Sequence, residues 1–269
     1  MTQNKIKVAV CGACGKMGQE VIRAVLNEAD LELVAAIDIQ NTGKDIGEIV
    51  NNTTSGVKVT KDLKETLLNS KSDVIVDFTS PELIYKSSIT AIECGVRPVI
   101  GTTGLSEEQL AELKRLSEEN KLSVLIAPNF AIGAVLMMMY AAQASKYFEH
   151  AEIIELHHNR KKDAPSGTAI KTAQLMTEAR KEFSKDNIPE TEFIEGARGG
   201  VTDSNIHIHS VRLPGYIASQ EVIFGAMGQT FTIRHDSFNR ECYMPGVVLA
   251  IKHVMKNNDF VYGLENILL

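Results

Sequence analysis

Hydrophobic positions in the first half of the chain fall into short apolar runs, each closed by Gly, Pro or Ser and followed by a longer amphipathic stretch. That alternation predicts βαβ units, with strands at residues 6–11, 33–37, 57–59, 74–78, 98–100 and 124–127. Most of these runs are apolar on both faces, as a parallel sheet covered by helices requires. Helices are expected at 15–28, 81–94 and 106–120; the last carries Leu110, Leu113 and Leu116 on one face, and Ser106, Glu107 and Glu108 at its start suit a helix N-terminus.

Past about residue 130 the rhythm changes. Strands are expected at 152–157, 206–213, 220–224 and 230–234, with Ile206, Ile208 and Ser210 alternating against His207, His209 and Val211. Segment 183–203, with Pro189 and the Arg198-Gly199-Gly200 triplet, reads as a long surface loop, either functional or mobile. Helical spacing returns at 244–255 through Val247, Val248, Ile251 and Val254. The fold class expected is α/β, a Rossmann-type doubly wound parallel sheet followed by a second, α+β domain. The expected boundaries are 1–130 for the first domain, with 241–269 returning to it, and 131–240 for the second.

A chain of 269 residues has room for such a pair, and 44% hydrophobic with 23% charged residues excludes a disordered or fibrous class. The net charge of −6 and the absence of a basic run argue against nucleic acid as a partner. The first apolar run, 8–11, is too short for a signal-peptide core, and no stretch reaches the ~18 apolar residues of a membrane helix. The longest candidate, 130–144, is interrupted by Gly133 and Gln143. No membrane partner and a cytoplasmic location are therefore expected. Cysteines at 11, 14, 94 and 242 are too scattered for a disulfide scaffold, so reduced thiols are expected. Cys11 and Cys14 form a CxxC without a second pair to complete a tetrahedral site, so no metal is expected.

The run Gly12-Ala13-Cys14-Gly15-Lys16-Met17-Gly18 follows the first expected strand and opens the first expected helix. Strand, glycine turn and helix N-terminus in that order form a diphosphate cradle, with unpaired N–H groups and a positive dipole facing the anion. Asp38 lies 20 residues after Gly18, where a carboxylate can accept from the hydroxyls of an adenine ribose. The plainer alternative is a Gly-rich turn of a flavodoxin-like domain beside a surface acid. Gly101-Thr102-Thr103-Gly104 and Ala127-Pro128-Asn129-Phe130 each follow a strand, at the edge where open α/β sheets place ligands; ordinary turn chemistry would produce the same residues.

The densest polar stretch runs from Glu152 to Ala169 and holds Glu155, His157, His158, Arg160, Lys161 and Asp163, then Pro165, Ser166, Gly167 and Thr168. His, Arg and Lys so close together in an acidic protein suit an anionic ligand. Ser166 is a natural N-cap, and the amides after it form a second anion seat suited to a small carboxylate or phosphate. His157 and His158 are adjacent on a strand end, so they point to opposite faces; the one facing a pocket could exchange a proton near neutrality, and Lys161 could supply a cation or proton. A solvated charge run is the competing reading. His207 and His209 lack a third ligand at metal spacing and are read as partners of a cleft or a neighbouring strand.

In this stretch the Glu-Ile-x-Glu-x-His run, then Lys, then Asp-x-Pro-Ser-Gly-Thr-Ala resembles the signature of the 4-hydroxy-tetrahydrodipicolinate reductase family, formerly dihydrodipicolinate reductase. The glycine run, the GTTG segment and the APNF segment match in order. The resemblance implies a two-domain NADH- or NADPH-dependent oxidoreductase of the diaminopimelate route to lysine, with a small dicarboxylate substrate. It also implies a homotetramer joined through the second, substrate-binding and oligomerisation domain. It assigns His157 as proton donor and acceptor and Lys161 as a second proton donor, and it places substrate carboxylate on His158, Gly167 and Thr168, with Ser166 capping that seat. Cofactor contacts are implied at Gly12, Ala13, Cys14, Gly15, Lys16, Met17, Asp38, Gly101, Thr102, Thr103, Ala127, Pro128, Asn129 and Phe130. Two alternatives stand beside this: another Rossmann dehydrogenase of a small carboxylate, and a non-catalytic dinucleotide sensor.

Overall fold

The computed structural model describes residues 4–185, 189 and 191–268. The chain divides into two compact units, Met1–Ile132 with Arg240–Leu269, and Gly133–Asn239.

The first unit is built on a seven-stranded parallel sheet: β1 (Ile6–Cys11), β2 (Leu31–Ile37), β3 (Val59–Thr60), β4 (Val74–Asp77), β5 (Arg97–Ile100), β6 (Val124–Ile126) and β12 (Phe260–Tyr262). The spatial order is β12-β6-β5-β4-β1-β2-β3, so the chain starts at the centre, winds outward through β2 and β3, and returns to fill the other side. The winding direction reverses between β1 and β4, which leaves a crevice at their carboxyl ends. β1 sits at that centre because Val8, Ala9 and Val10 are apolar in succession, and all three are fully buried. Helix α1 (Lys16–Asn27) packs with α8 (Met244–Lys256), which lies on β4, β5 and β6. On the opposite face α3 (Leu63–Ser70) meets α4 (Pro81–Glu93), which meets α5 (Glu107–Asn120). α5 opens with a capping box: Gln109 N donates to the Ser106 hydroxyl at 3.3 Å while Ser106 N donates to Gln109 Oε1 at 2.9 Å. α2 (Ile46–Asn51) and α3 are shorter helices started by the side chains of Asp45 and Asp62.

The second unit holds α6 (Ile132–Ala144, which begins at the unit boundary), β7 (His150–His157), α7 (Gly167–Ala179), β8 (Gly200–Val201), β9 (His207–Arg212), β10 (Ala218–Ala226) and β11 (Gln229–Ser237). Its mixed sheet runs β11-β10-β7-β9-β8; β7 and β9 are parallel and the other pairs antiparallel. Ile153, Ile208, Val222 and Phe224 from the sheet close on Ala141 of α6 and on Ala173 and Met176 of α7. The segment expected to be one long loop, 183–203, is anchored at its start by Phe183, which is 1% exposed in this core, and contains β8, whose Gly200 pairs with Ile208. Residues 186–188 and 190 of that segment lie outside the described residues. No helix among the described residues is long and apolar enough to cross a membrane.

Candidate active site

The glycine turn of the first unit is shaped by positions where a side chain has no room. Gly12 adopts φ +75°, and a Cβ there would stand 2.9 Å from the carbonyl oxygen of Phe78, at the end of the neighbouring β4. A Cβ on Gly18 would stand 2.1 Å from the carbonyl oxygen of Gly12, so the first turn of α1 lies directly on the loop. Gly15 caps α1 with no side-chain acceptor, which leaves the first amides of the helix, at Lys16 and Met17, directed at whatever sits above the turn. Ala13 is buried beneath the turn.

Asp38 lies one residue past β2, and its carboxylate is fixed on both oxygens: Cys14 N donates to Oδ2 at 2.9 Å and Gln40 N to Oδ1 at 2.8 Å. Each carboxylate oxygen accepts more than one bond, so the same group retains capacity for ribose hydroxyls. Cys11 is buried at the end of β1, where burial and then the nearby Asp77 carboxylate push its thiol far up, and Cys14 turns its thiol to Gln40 O at 3.5 Å. Both behave as small side chains of a crowded turn.

Gly101, Thr102 and Thr103 leave the end of β5, and Ala127, Pro128, Asn129 and Phe130 leave the end of β6. Gly101 is needed because a Cβ there would enter the ring of Phe78, which itself lies 5.8 Å from the ring of Phe130. Asn129 spends its side-chain oxygen on Ala131 N at 2.9 Å, so its NH₂ is the group left to meet a ligand. The ends of β1, β2, β5 and β6 thus bring all the expected cofactor residues to one edge of one sheet. A backbone cradle that admits no Cβ, an uncapped helix start and a fixed acid fit a dinucleotide.

In the second unit the polar stretch is organised by Glu155, a fully buried carboxylate in β7. Four donors fill its two oxygens: Arg212 Nη2 at 2.7 Å and Ser166 N at 3.2 Å on Oε1, Arg212 Nη1 at 2.8 Å and His157 Nδ1 at 2.5 Å on Oε2. Burial pushes the Glu155 carboxyl up, but Arg212, Ser210 and His157 together outweigh it and hold the group below its ordinary range. Burial lowers the pKa of His157, and its bond to Glu155 recovers only part of that shift. His158, the next residue, has a buried Nδ1 with no hydrogen-bond partner.

Lys161 is turned toward His158, whose carbonyl accepts from Lys161 N at 3.1 Å, and its ammonium lies 2.7 Å from the Asp163 carboxylate. Lys161 is therefore a paired cation here. Ser166 caps α7, accepting from Ala169 N at 3.2 Å, so Gly167 and Thr168 present the first helical amides. The structure thus brings His157 and Ser166 onto one carboxylate, with Gly167 and Thr168 following Ser166 at the start of α7.

Glu155 and Arg212 are the participants to which the sequence assigned no role. An acid between Ile154 and Leu156 in a strand is a signal that a cationic partner exists, but Arg212 is 57 residues away and no local pattern points to it. His209 and His207 are partners of neighbouring groups: His209 Nε2 lies 2.8 Å from Glu152, which also binds Arg198, and His207 Nδ1 lies 2.7 Å from Arg198 O.

A doubly wound sheet with a glycine cradle and fixed ribose acid, joined in one chain to a sheet bearing a histidine beside an anion seat, defines a two-domain nicotinamide-dinucleotide-dependent oxidoreductase. Residues 6–130 match the family described as dihydrodipicolinate reductase, N-terminus, and residues 133–268 match dihydrodipicolinate reductase, C-terminus. The chain belongs to the dihydrodipicolinate reductase family. It is 53% identical over 271 residues to the 4-hydroxy-tetrahydrodipicolinate reductase of a Picosynechococcus species, covering 98% of each chain. It is 52% identical over 263 residues to the enzyme of that name from Listeria monocytogenes serotype 4b, covering 98% of this chain and 100% of the relative. A solved structure of dipicolinate-bound dihydrodipicolinate reductase from Paenisporosarcina sp. TG-14 is similar with a TM-score of 0.90 at 48% identity, covering 98% of this chain and 100% of that one.

Proposed function

We propose that the reaction of this enzyme, reduction of 4-hydroxy-tetrahydrodipicolinate to tetrahydrodipicolinate by NADH or NADPH with loss of water, runs on His157 as proton donor and acceptor. The observation that carries this reading is the 2.5 Å bond between His157 Nδ1 and the buried Glu155, within the group that also fixes the Ser166 cap. The cofactor, when bound, supplies hydride. Gly12 to Met17 and Asp38 receive its diphosphate and ribose, and the ends of β5 and β6 receive its nicotinamide half.

The amides of Gly167 and Thr168 hold one substrate carboxylate, with His158 and its unpartnered Nδ1 beside them. Hydride arrival builds electron density on the ring, and His157 protonates it. Lys161 adds positive charge and a second proton source once substrate carboxylate competes with Asp163 for its ammonium. The TG-14 relative is described as bound to dipicolinate, a planar dicarboxylate that copies both anions of the substrate. Dipicolinate therefore competes with substrate here too, and calorimetry showing no binding in the presence of reduced cofactor would remove the seat.

The first unit serves as the cofactor domain, with the C-terminal segment returning to it, and the second as the substrate and self-association domain of a cytoplasmic homotetramer. Exposed Met227 and Phe231 on the β10–β11 hairpin supply apolar area for that association. Sedimentation as a monomer at micromolar concentration would refute it.

The decisive experiment on chemistry is His157→Gln. A general acid supplies about 10²- to 10⁴-fold, so kcat falls by that order while NADH affinity stays near wild type. Lys161→Ala lowers kcat and raises KM together. Near-normal kcat in both variants, with intact thermal melts, would reduce the stretch to a solvated charge run.

A further inference from the structure

The buried carboxylate of Glu155 touches no surface and cannot reach substrate, yet it binds two groups that the reaction uses, the His157 ring and the Ser166 amide. We infer that Glu155, clamped by Arg212, is the positioning residue that fixes the reacting nitrogen of His157 and, through the same carboxylate, the N-cap of the substrate seat.

Geometry supports this at each bond. An ionised carboxylate only accepts, so a ring nitrogen 2.5 Å from Oε2 must carry its proton there. His157 is thereby held with Nδ1–H toward Glu155 and Nε2 toward the reaction, bare in the neutral ring and protonated in the acid form. Arg212 takes both carboxylate oxygens in a fork, at 2.7 and 2.8 Å, which leaves Glu155 no rotation about its terminal bond. Ser166 N, on Oε1 at 3.2 Å, then sets where α7 begins, and so where the Gly167 and Thr168 amides point. Arg212 Nη2 also donates to the carbonyl of Asp163 at 2.8 Å, tying down the loop that carries Lys161. One ion pair between β7 and β9 therefore registers proton donor, anion seat and second cation against one another. The charged groups that act on His157 are Glu155, Lys161 and Arg212, with Asp163 paired to Lys161.

This inference rests on the proton-transfer role of His157, and its test separates the two. The ¹⁵N spectrum of histidines in the full-length enzyme, assigned by comparison with His157→Gln, reads the tautomer directly. Neutral His157 carries its proton on Nδ1; a proton on Nε2 in the wild type would overturn the inference without any variant having to fold. Glu155→Gln keeps one acceptor oxygen for Arg212 and Ser166 but places an NH₂ group against His157 Nδ1. The proton then moves to Nε2 and the imidazolium loses its acceptor. The alkaline limb of the kcat profile, where His157 loses its proton, shifts to lower pH, and kcat falls about 10²-fold, within the ~10²- to 10⁴-fold a general acid supplies, while KM changes less. Arg212→Lys, which keeps charge but not the fork, gives a smaller loss in the same direction. A normal kcat and unmoved pH limb in Glu155→Gln, beside an impaired His157→Gln, would defeat the positioning role alone. A normal kcat in His157→Gln would instead defeat the reading beneath it.

Discussion

The glycine cradle of the first unit and the polar cluster of the second are built by opposite means. The cradle is made of omissions: Gly12, Gly18 and Gly101 each stand where a Cβ would strike a neighbouring atom within 3 Å, and the helix above the turn starts without a side-chain cap. The substrate half is made of additions, with a buried carboxylate saturated by an arginine fork, a histidine and a backbone N–H. The first is rigid because atoms touch, and the second because charges must be satisfied. Damage should follow that division, with shape errors weakening cofactor binding and charge errors destabilising the fold and the chemistry together.

The largest effect is expected from Arg212→Ala, which leaves Glu155 ionised and buried without its counter-charge. Breaking a buried pair in this way costs about 3–5 kcal/mol, toward the lower figure here because Arg212 is partly exposed. Chemical denaturation should show that loss together with a fall in kcat; a change below ~1 kcal/mol would place the pair with ordinary surface bridges. Gly18→Ala comes next. Its methyl meets only backbone, so the turn itself must shift, at about 1–3 kcal/mol by the usual cost of overpacking. That shift should appear as a rise in the NADH Kd with kcat at saturation little changed, and an unaltered Kd would mean that the cradle does not depend on its tight packing.

A pH titration sharpens the contrast further. His157 and His235 both have folded pKa values lowered by burial from an ordinary 6.5, so on acidification the unfolded chain takes up protons first. Stability is therefore lost as pH falls from about 6.5 through the lower folded values, while kcat rises over the same window as His157 gains its proton. Glu155, lowered from an ordinary 4.5, adds a further loss as pH falls through its folded value. Substituting His157 with Gln should remove the kcat dependence and leave only the His235 share of the upper stability window; if that window is unchanged, His157 does not titrate as described. The smallest effect concerns the adenine ribose. The Asp38 carboxylate is fixed by the Cys14 and Gln40 amides, Ile39 beside it is apolar and exposed, and Lys44 is engaged by Asn41 at 3.1 Å. NADH and NADPH should then be used with kcat/KM values within ~100-fold, about 2.7 kcal/mol, and a larger NADPH preference would mean that another cation receives the phosphate.

The same division explains what could be read from the chain beforehand. Omissions are local, and so the run from Gly12 to Gly18, with Asp38 behind it, was visible as spacing. β1 was visible because its buried part, Val8 to Cys11, is an unbroken apolar run at the centre of a parallel sheet. Local signals failed where a structure depends on distant partners. β12 is three residues that become a strand only through pairing with β6, and β8 is two residues that exist as a strand only against β9. α6 shows no clear helical period because it is apolar nearly all round, and α2 and α3 were missed because few residues follow their Asp45 and Asp62 caps. The pairing of Glu155 with Arg212 spans 57 residues and left only an acid set between Ile154 and Leu156. His157, Lys161 and the Ser166 cap could be named from chemistry; what holds them could not.

The place of β12 at the rim of the first sheet has a consequence for synthesis on the ribosome. Residues 133–239 leave the exit tunnel before 240–269, so the second unit can be complete while the first still lacks α8, β12 and the Asp259 carbonyl that accepts from Val124 N at 2.9 Å. Until then β6 is an open edge, with the apolar surface that α8 will cover exposed to chaperones and to neighbouring nascent chains. A chain stalled short of the last thirty residues carries a finished substrate half and an unsealed nucleotide half.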